Sequence, residues 1–154
     1  MAIEAVGASY DSGHWLLISE WSHANTHSFL GDQTAWYASG GYRVHQFMPY
    51  LTYAQVSATG NSSPGLSLTG LPPAAAGFAA GLNAGLNSVL EMIAEQKTVS
   101  VGTRWDFAKN FDFKLQVDHT RLGAGSSGTL INIQPGFVPG GTVNLFSAAI
   151  DFVW

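Results

Sequence analysis

The residues of this chain that could do chemistry are few and scattered. His23 and His27 stand four apart with Asn25 between them, a spacing that on a helix brings two imidazoles to one metal ion. Only Asp32 lies near them, and the Ser, Thr and Asn around them read as a solvated loop, so no metal site is expected. Hydrolysis by an activated serine needs a Ser–His pair oriented by a third group. His14 falls in a turn, His119 falls at a strand end, and the serines are spread throughout. Nothing converges, so no catalytic residue and no enzyme is expected. Gly40-Gly41 and Gly123-Ala124-Gly125 are followed by no helix start of the kind that cradles a phosphate. The chain has no cysteine, which excludes disulfides, thiolate metal ligands and a Cys nucleophile. No cofactor is implied.

What remains is the placement of a small number of charges. Only 10 % of the 154 residues are charged, against roughly 25 % in an average soluble domain. At 46 % hydrophobic the chain is too apolar for intrinsic disorder, and a net charge of -4 excludes a basic nucleic-acid binder. Met1-Ala2-Ile3-Glu4-Ala5-Val6 has no basic region ahead of an apolar core, so no secretory signal is expected there. The charge-free stretch between His45 and Glu91 is broken by Pro49, Pro64, Pro72 and Pro73. A spanning helix needs about 20 predominantly apolar residues, so none is expected.

Most of the sequence alternates with a period of two, the signature of strands with unlike faces. Phe111, Phe113, Leu115 and Val117 fall opposite Asp112, Lys114, Gln116 and Asp118. Val99, Val101, Trp105 and Phe107 fall opposite Ser100, Gly102, Arg104 and Asp106. The last residues repeat the pattern, with Phe146, Ala148, Ile150, Phe152 and Trp154 against Ser147, Ala149 and Asp151. Strands are expected at 3–10, 15–23, 34–43, 47–56, 97–107, 111–120 and 143–154. In the second, Leu16 and Ile18 make both faces apolar and leave its orientation open. Short and long connections alternate, as in an antiparallel up-and-down meander. The long connection 57–96 is expected to hold a short helix over 74–92, opening after Pro72-Pro73. There Phe78, Leu82, Leu86 and Leu90 recur every four residues, a stripe expected to pack over or into a pore mouth.

A soluble β-sandwich also alternates, so the aromatic residues decide. Tyr10 and Trp15 flank the first short turn, Tyr42 and Phe47 the second, Phe107 and Phe111 the third, with Trp154 at the same level. Trp21, Trp36, Tyr53 and Phe146 are candidates for a second ring at the far strand ends. Two aromatic rings suit the two headgroup zones of a bilayer, whereas a sandwich core wants its largest side chains in mid-strand. The expected fold is all-β, an antiparallel up-and-down transmembrane β-barrel.

The run Gly40-Gly41-Tyr42-Arg43 leading into Phe47-Met48-Pro49-Tyr50-Leu51-Thr52-Tyr53-Ala54, and the run Ser100 to His119, resemble the later strands of Gram-negative outer-membrane porins. Phe146–Trp154 resembles the porin C-terminal strand read by the outer-membrane insertion machinery, with Trp where that family usually has Phe. The look is nearest to sixteen-stranded trimeric diffusion porins, the kind that includes phosphate-selective channels. The resemblance implies an integral outer-membrane location, contact with lipid and lipopolysaccharide, a homotrimer, and passive diffusion of small hydrophilic solutes or ions.

Seven strands would leave two open edges, and unpaired backbone groups cost several kcal/mol each in hydrocarbon. The chain is therefore expected to be the C-terminal part of a larger barrel, starting where strand ten of sixteen would start. The rival is a complete eight-stranded, non-conducting barrel, and beyond it a soluble β-domain used for binding. A pore needs opposed wall charges rather than catalytic groups. The pore-lining candidates are Arg43, Arg104 and Lys114 against Glu20, Asp106, Asp112, Asp118 and Asp151. Arg104 and Lys114 are the wall candidates among them, and Asp106, Asp112 and Asp151 the rim charges. Any single one of these is more often expected to pair locally on the barrel wall or to sit at a rim than to set a field across the pore.

Overall fold

A computed structural model describes residues 2–25, 32–59, 64–90 and 92–153. The elements are β1 (Ala2–Asp11), β2 (Trp15–Asn25), β3 (Gln33–Tyr42), β4 (Phe47–Ala58), α1 (Pro73–Leu90), β5 (Gln96–Ala108), β6 (Phe111–Leu122) and β7 (Thr142–Phe152). Each strand differs from its span of alternating residues by two residues at most at either described end. His27 and Trp154 lie outside the described residues.

The seven strands form one antiparallel sheet in sequence order, β1-β2-β3-β4-β5-β6-β7. The connections after β1, β3 and β5 are tight and share one end of the sheet; those after β2, β4 and β6 are long and share the other. Local chemistry closes the tight ones. Gly13 takes a left-handed conformation (φ 87°) while its N–H donates to Asp11 Oδ1 at 2.8 Å. Asn110 is left-handed in the third (φ 67°), a conformation Asn tolerates better than most residues. Between Trp105 and Ala108 the pairing of β5 with β6 shifts register, the kind of irregularity that bends a strand.

No second layer covers the sheet among the described residues. Leu51, Val101, Leu115 and Ile150, which a sandwich would bury between layers, are 56, 58, 48 and 62 % exposed. β1 and β7 are not paired with each other, the contact a closed eight-stranded barrel would have supplied.

Among the described residues the buried apolar side chains are Ala79, Leu90, Ile93 and Leu122, all at the long-loop end. Ser126 knits that region together from a fully buried position. Its hydroxyl donates to the Ile93 carbonyl at 2.7 Å and accepts from the N–H groups of Glu95 and Gly128, both at 3.0 Å. The expected apolar stripe on α1 is covered only at one end within this chain. Leu90 is buried, but Phe78, Leu82 and Leu86 are exposed, and α1 packs against no strand. Asn83 fixes the helix instead, because its amide mimics a peptide group: Oδ1 accepts from Leu66 N–H and Nδ2 donates to Leu66 O.

Candidate functional site

The two faces of the sheet are chemically opposite, and their exposure is the reverse of a water-soluble sheet. Along β6 the apolar positions Phe111, Leu115 and Val117 are exposed, whereas Asp112, Lys114, Gln116, Asp118 and Thr120 are half-buried. β5 repeats this, with Val99, Val101 and Trp105 exposed against Thr98, Gly102 and Arg104. The polar face is the crowded one, as on the concave side of a curling sheet.

On the apolar face the aromatic side chains collect at two levels. At the short-turn end Trp15 meets Tyr42 with ring centroids 4.8 Å apart. A continuous run then links Phe47 to Trp105 (5.7 Å), Trp105 to Phe107 (5.4 Å), Phe107 to Phe111 (6.0 Å) and Phe111 to Phe152 (5.9 Å). These spacings are those of favourable aromatic pairs. Toward the long loops Trp36 packs on Tyr53 (5.2 Å) and Trp21 stacks on His23 (6.1 Å). Trp105 and Phe152 join the first ring although they were absent from the expected set.

Six residues separate the two levels on β2 (Trp15, Trp21), β3 (Trp36, Tyr42), β4 (Phe47, Tyr53) and β7 (Phe146, Phe152), about 20 Å along a strand. The levels do not run perpendicular to the strands. Tyr10 pairs with Leu17, two residues from Trp15, and Trp15 pairs with Tyr42. Phe47 is displaced two residues again, and so is Phe111, while Phe47 pairs with Trp105 and Phe111 with Phe152. The displacement is always toward the short turns and reaches six residues over the six strand-to-strand steps. One residue (about 3.3 Å) per step (about 4.8 Å) inclines the strands about 35° to the normal of the plane holding the rings. Barrel strands are tilted by this amount. At that incline the levels stand about 16 Å apart along the normal, and the ring side chains extend the band at both ends.

Between the levels the apolar face holds no charged residue among the described ones. Glu4, Lys97 and Arg121 on that face lie at or beyond the second level. Ser19, a hydroxyl inside the band, donates to the Tyr37 carbonyl at 2.9 Å.

The in-strand charge candidates all lie on the polar face, but they are not distributed as a wall set and a rim set. Arg104, Asp106, Asp112, Lys114 and Asp151 form one network at the short-turn end. Arg104 contacts Asp106 at 2.6 Å and Asp112 at 3.3 Å, and Lys114 bridges Asp112 (3.8 Å) and Asp151. The strand register causes this, since Arg104 pairs with Lys114 and Asp112 with Asp151. Arg104 and Lys114 are therefore neutralised locally rather than standing apart from the carboxylates. Arg43 lies in the second tight turn and forks onto both carboxylate oxygens of Asp11 at 2.7 and 2.8 Å; hydrogen bonding to that carboxylate raises its guanidinium above the ordinary arginine range. Asp11, its partner, was not among the expected residues. Glu20 and Asp118 remain outside these ion pairs, Asp118 accepting from Gln116 Nε2 at 2.7 Å.

Further in, the polar face carries a ladder of hydrogen bonds. Ser39 meets Thr52 at 2.7 Å and Thr98 meets Thr120 at 2.9 Å. Tyr50 lies across Gly102 and its hydroxyl donates to Gln116 Oε1 at 2.8 Å. A glycine facing an aromatic residue across two strands lets the ring lie flat on the sheet.

His14 lies in the first tight turn and His119 toward the long-loop end of β6, where it meets Asn144 at 2.7 Å. The described residues hold no group of three or more His, Asp and Glu side chains fit for a metal ion. No helix among them is long and apolar enough to cross a membrane, which says nothing about crossing by strands. No protein family, curated protein or solved structure matches the chain.

Proposed function

We propose that this chain forms part of the wall of an outer-membrane β-barrel, its apolar face against acyl chains and its polar face lining an aqueous passage. The function is that of a porin: passive diffusion of small hydrophilic solutes or ions. The observation that carries this reading is the inverted sheet. A continuous apolar face lies exposed between two aromatic levels, while on β2 to β6 the polar face is for the most part the more buried one. In water such a face has no favourable state, because single exposed apolar patches on soluble monomers rarely exceed a few hundred Å². In a bilayer it is the stable arrangement, with rings in the headgroup zones and the charge-free band between them. Strands of 10 to 13 residues match the roughly 9–11 residues a tilted strand needs to cross.

Closure completes the proposal. The outer edges of β1 and β7 carry unpaired N–H and C=O groups, which hydrocarbon does not tolerate. β1 and β7 run in the same direction, so an all-antiparallel barrel needs an odd number of further strands between them. The sixteen-stranded, trimeric porin type meets that requirement with nine. Lipopolysaccharide around the barrel and the insertion machinery acting on the last strand belong to the same reading.

Planar-bilayer recording tests it. The intact protein is expected to open stepwise channels whose conductance rises with salt concentration. Folded protein inserted in the membrane that never conducts would overturn the pore reading.

A further inference from the structure

The polar face is not electrically uniform along its height, and the imbalance predicts which ions it favours. All six basic residues of the chain can be placed: Lys97 and Arg121 on the apolar face beyond the second aromatic level, Lys109 in the third tight turn, and Arg43, Arg104 and Lys114 at the short-turn end. The last three are bound to Asp11, Asp106, Asp112 and Asp151. No basic residue therefore lies on the long-loop half of the polar face. Two carboxylates do. Glu20 on β2 is one residue from Trp21, a member of the second aromatic level, and Asp118 on β6 is one residue from Val117, at that same level.

Neither has an ion pair among the described residues. Asp118 is hydrogen-bonded without being neutralised, and Glu20 is exposed on β2. Glu20 lies beside Gly7, its Cγ 3.8 Å from where a Cβ would stand, and Asp118 is fixed by the Gln116 amide. Between them on the same face stand neutral polar groups, Tyr37, Thr52, Thr98 and Ser100. Four strand steps separate them, about 19 Å across the wall.

We propose that Glu20 and Asp118 form an uncompensated acidic belt near the long-loop mouth of the passage, favouring monovalent cations over anions. This rests on the pore reading above. In 0.1 M salt a unit negative charge about 10 Å away, one Debye length, raises the local concentration of a monovalent cation about 1.3-fold. It lowers that of an anion as much, so that their ratio moves about 1.7-fold. The two sites are about two Debye lengths apart at 0.1 M salt, so their effects are largely separate there and both fade at 1 M.

The test is the cation-to-anion permeability ratio in a KCl gradient, read from the reversal potential of the intact protein. Glu20→Gln with Asp118→Asn is expected to lower the ratio about 1.7-fold per carboxylate at 0.1 M salt, with little change at 1 M. Each single variant should give its own share, so the effect survives even if one replacement impairs folding. Lys114→Gln with Asp151→Asn removes one charge of each sign from the inner network and should leave the ratio where it was. Channels whose ratio is unmoved by the acidic-belt variants, or moved as far by the balanced pair, would overturn the proposal while leaving the pore intact. A membrane-inserted protein that opens no channels overturns the pore reading and the belt together.

Discussion

Leu115→Arg is expected to lower the folding stability of the protein in a lipid bilayer by about 2–4 kcal/mol, the cost of an arginine facing lipid near the midplane. Leu115 lies on the apolar face of β6, four residues from Phe111 in one aromatic level and two from Val117 in the other. It is 48 % exposed and no second layer covers it. That exposure makes the substitution decisive. If the face met water, replacing an exposed apolar residue by arginine would fall within about 0.5 kcal/mol of neutral. Ser147→Arg is the control, because Ser147 is also exposed on β7 but belongs to the polar face, opposite Gln116. It should change stability little in the same bilayer. Urea titration of both variants in vesicles measures the difference. Equal effects would mean that the two faces share one solvent.

A second large effect is expected at Gly102. A Cβ there would stand 2.8 Å from the Leu115 carbonyl oxygen and would run into the Tyr50 ring. Gly102→Ala must therefore lift Tyr50 off the sheet, breaking its 2.8 Å bond to Gln116 and freeing the amide that holds Asp118. Overpacking of this kind costs about 1–3 kcal/mol. The cause is contact rather than backbone conformation, so the cost should shrink when Tyr50→Ala empties the space. A double-mutant cycle in the same titration is expected to show coupling between positions 50 and 102 within the range of about 0.5–3 kcal/mol found for touching residues. Strictly additive losses would show that the ring and the glycine do not share that space.

The strands were legible because a one-layer sheet with unlike faces leaves its period in the sequence without interference from a buried core. Phe111 to Asp118 states both faces in eight residues. β2 was harder: Leu16 and Ile18 lie on the polar face, opposite Gly41 and Ser39, so composition there did not distinguish the sides and only pairing does. The first aromatic level was read from residues flanking the turns. That rule passed over Trp105, which the register shift before Ala108 keeps beside Phe107, and Phe152, which β6 brings onto Phe111.

Local pairing of the charges was legible, but their particular partners were not. Lys114 and Asp151 are 37 positions apart, and nothing local says that they share a face and a height. The separation into wall and rim charges treated each strand alone. Ion pairs between strands depend on the accumulated register across the sheet. On α1, likewise, a four-residue period marks an apolar side without naming what covers it.

The central claim is that the apolar face touches lipid and the polar face touches water. The chain has no cysteine of its own, so single spin labels can be placed without background. Labels at Leu51→Cys, Val101→Cys and Ile150→Cys probe one face, and labels at Thr52→Cys, Ser147→Cys and Ala149→Cys the other. In bilayer-reconstituted protein the first three are expected to collide with dissolved oxygen and to be shielded from a water-soluble nickel complex. The second three should show the reverse. Nickel access to Leu51, Val101 and Ile150 equal to that at Thr52, Ser147 and Ala149 would contradict the account.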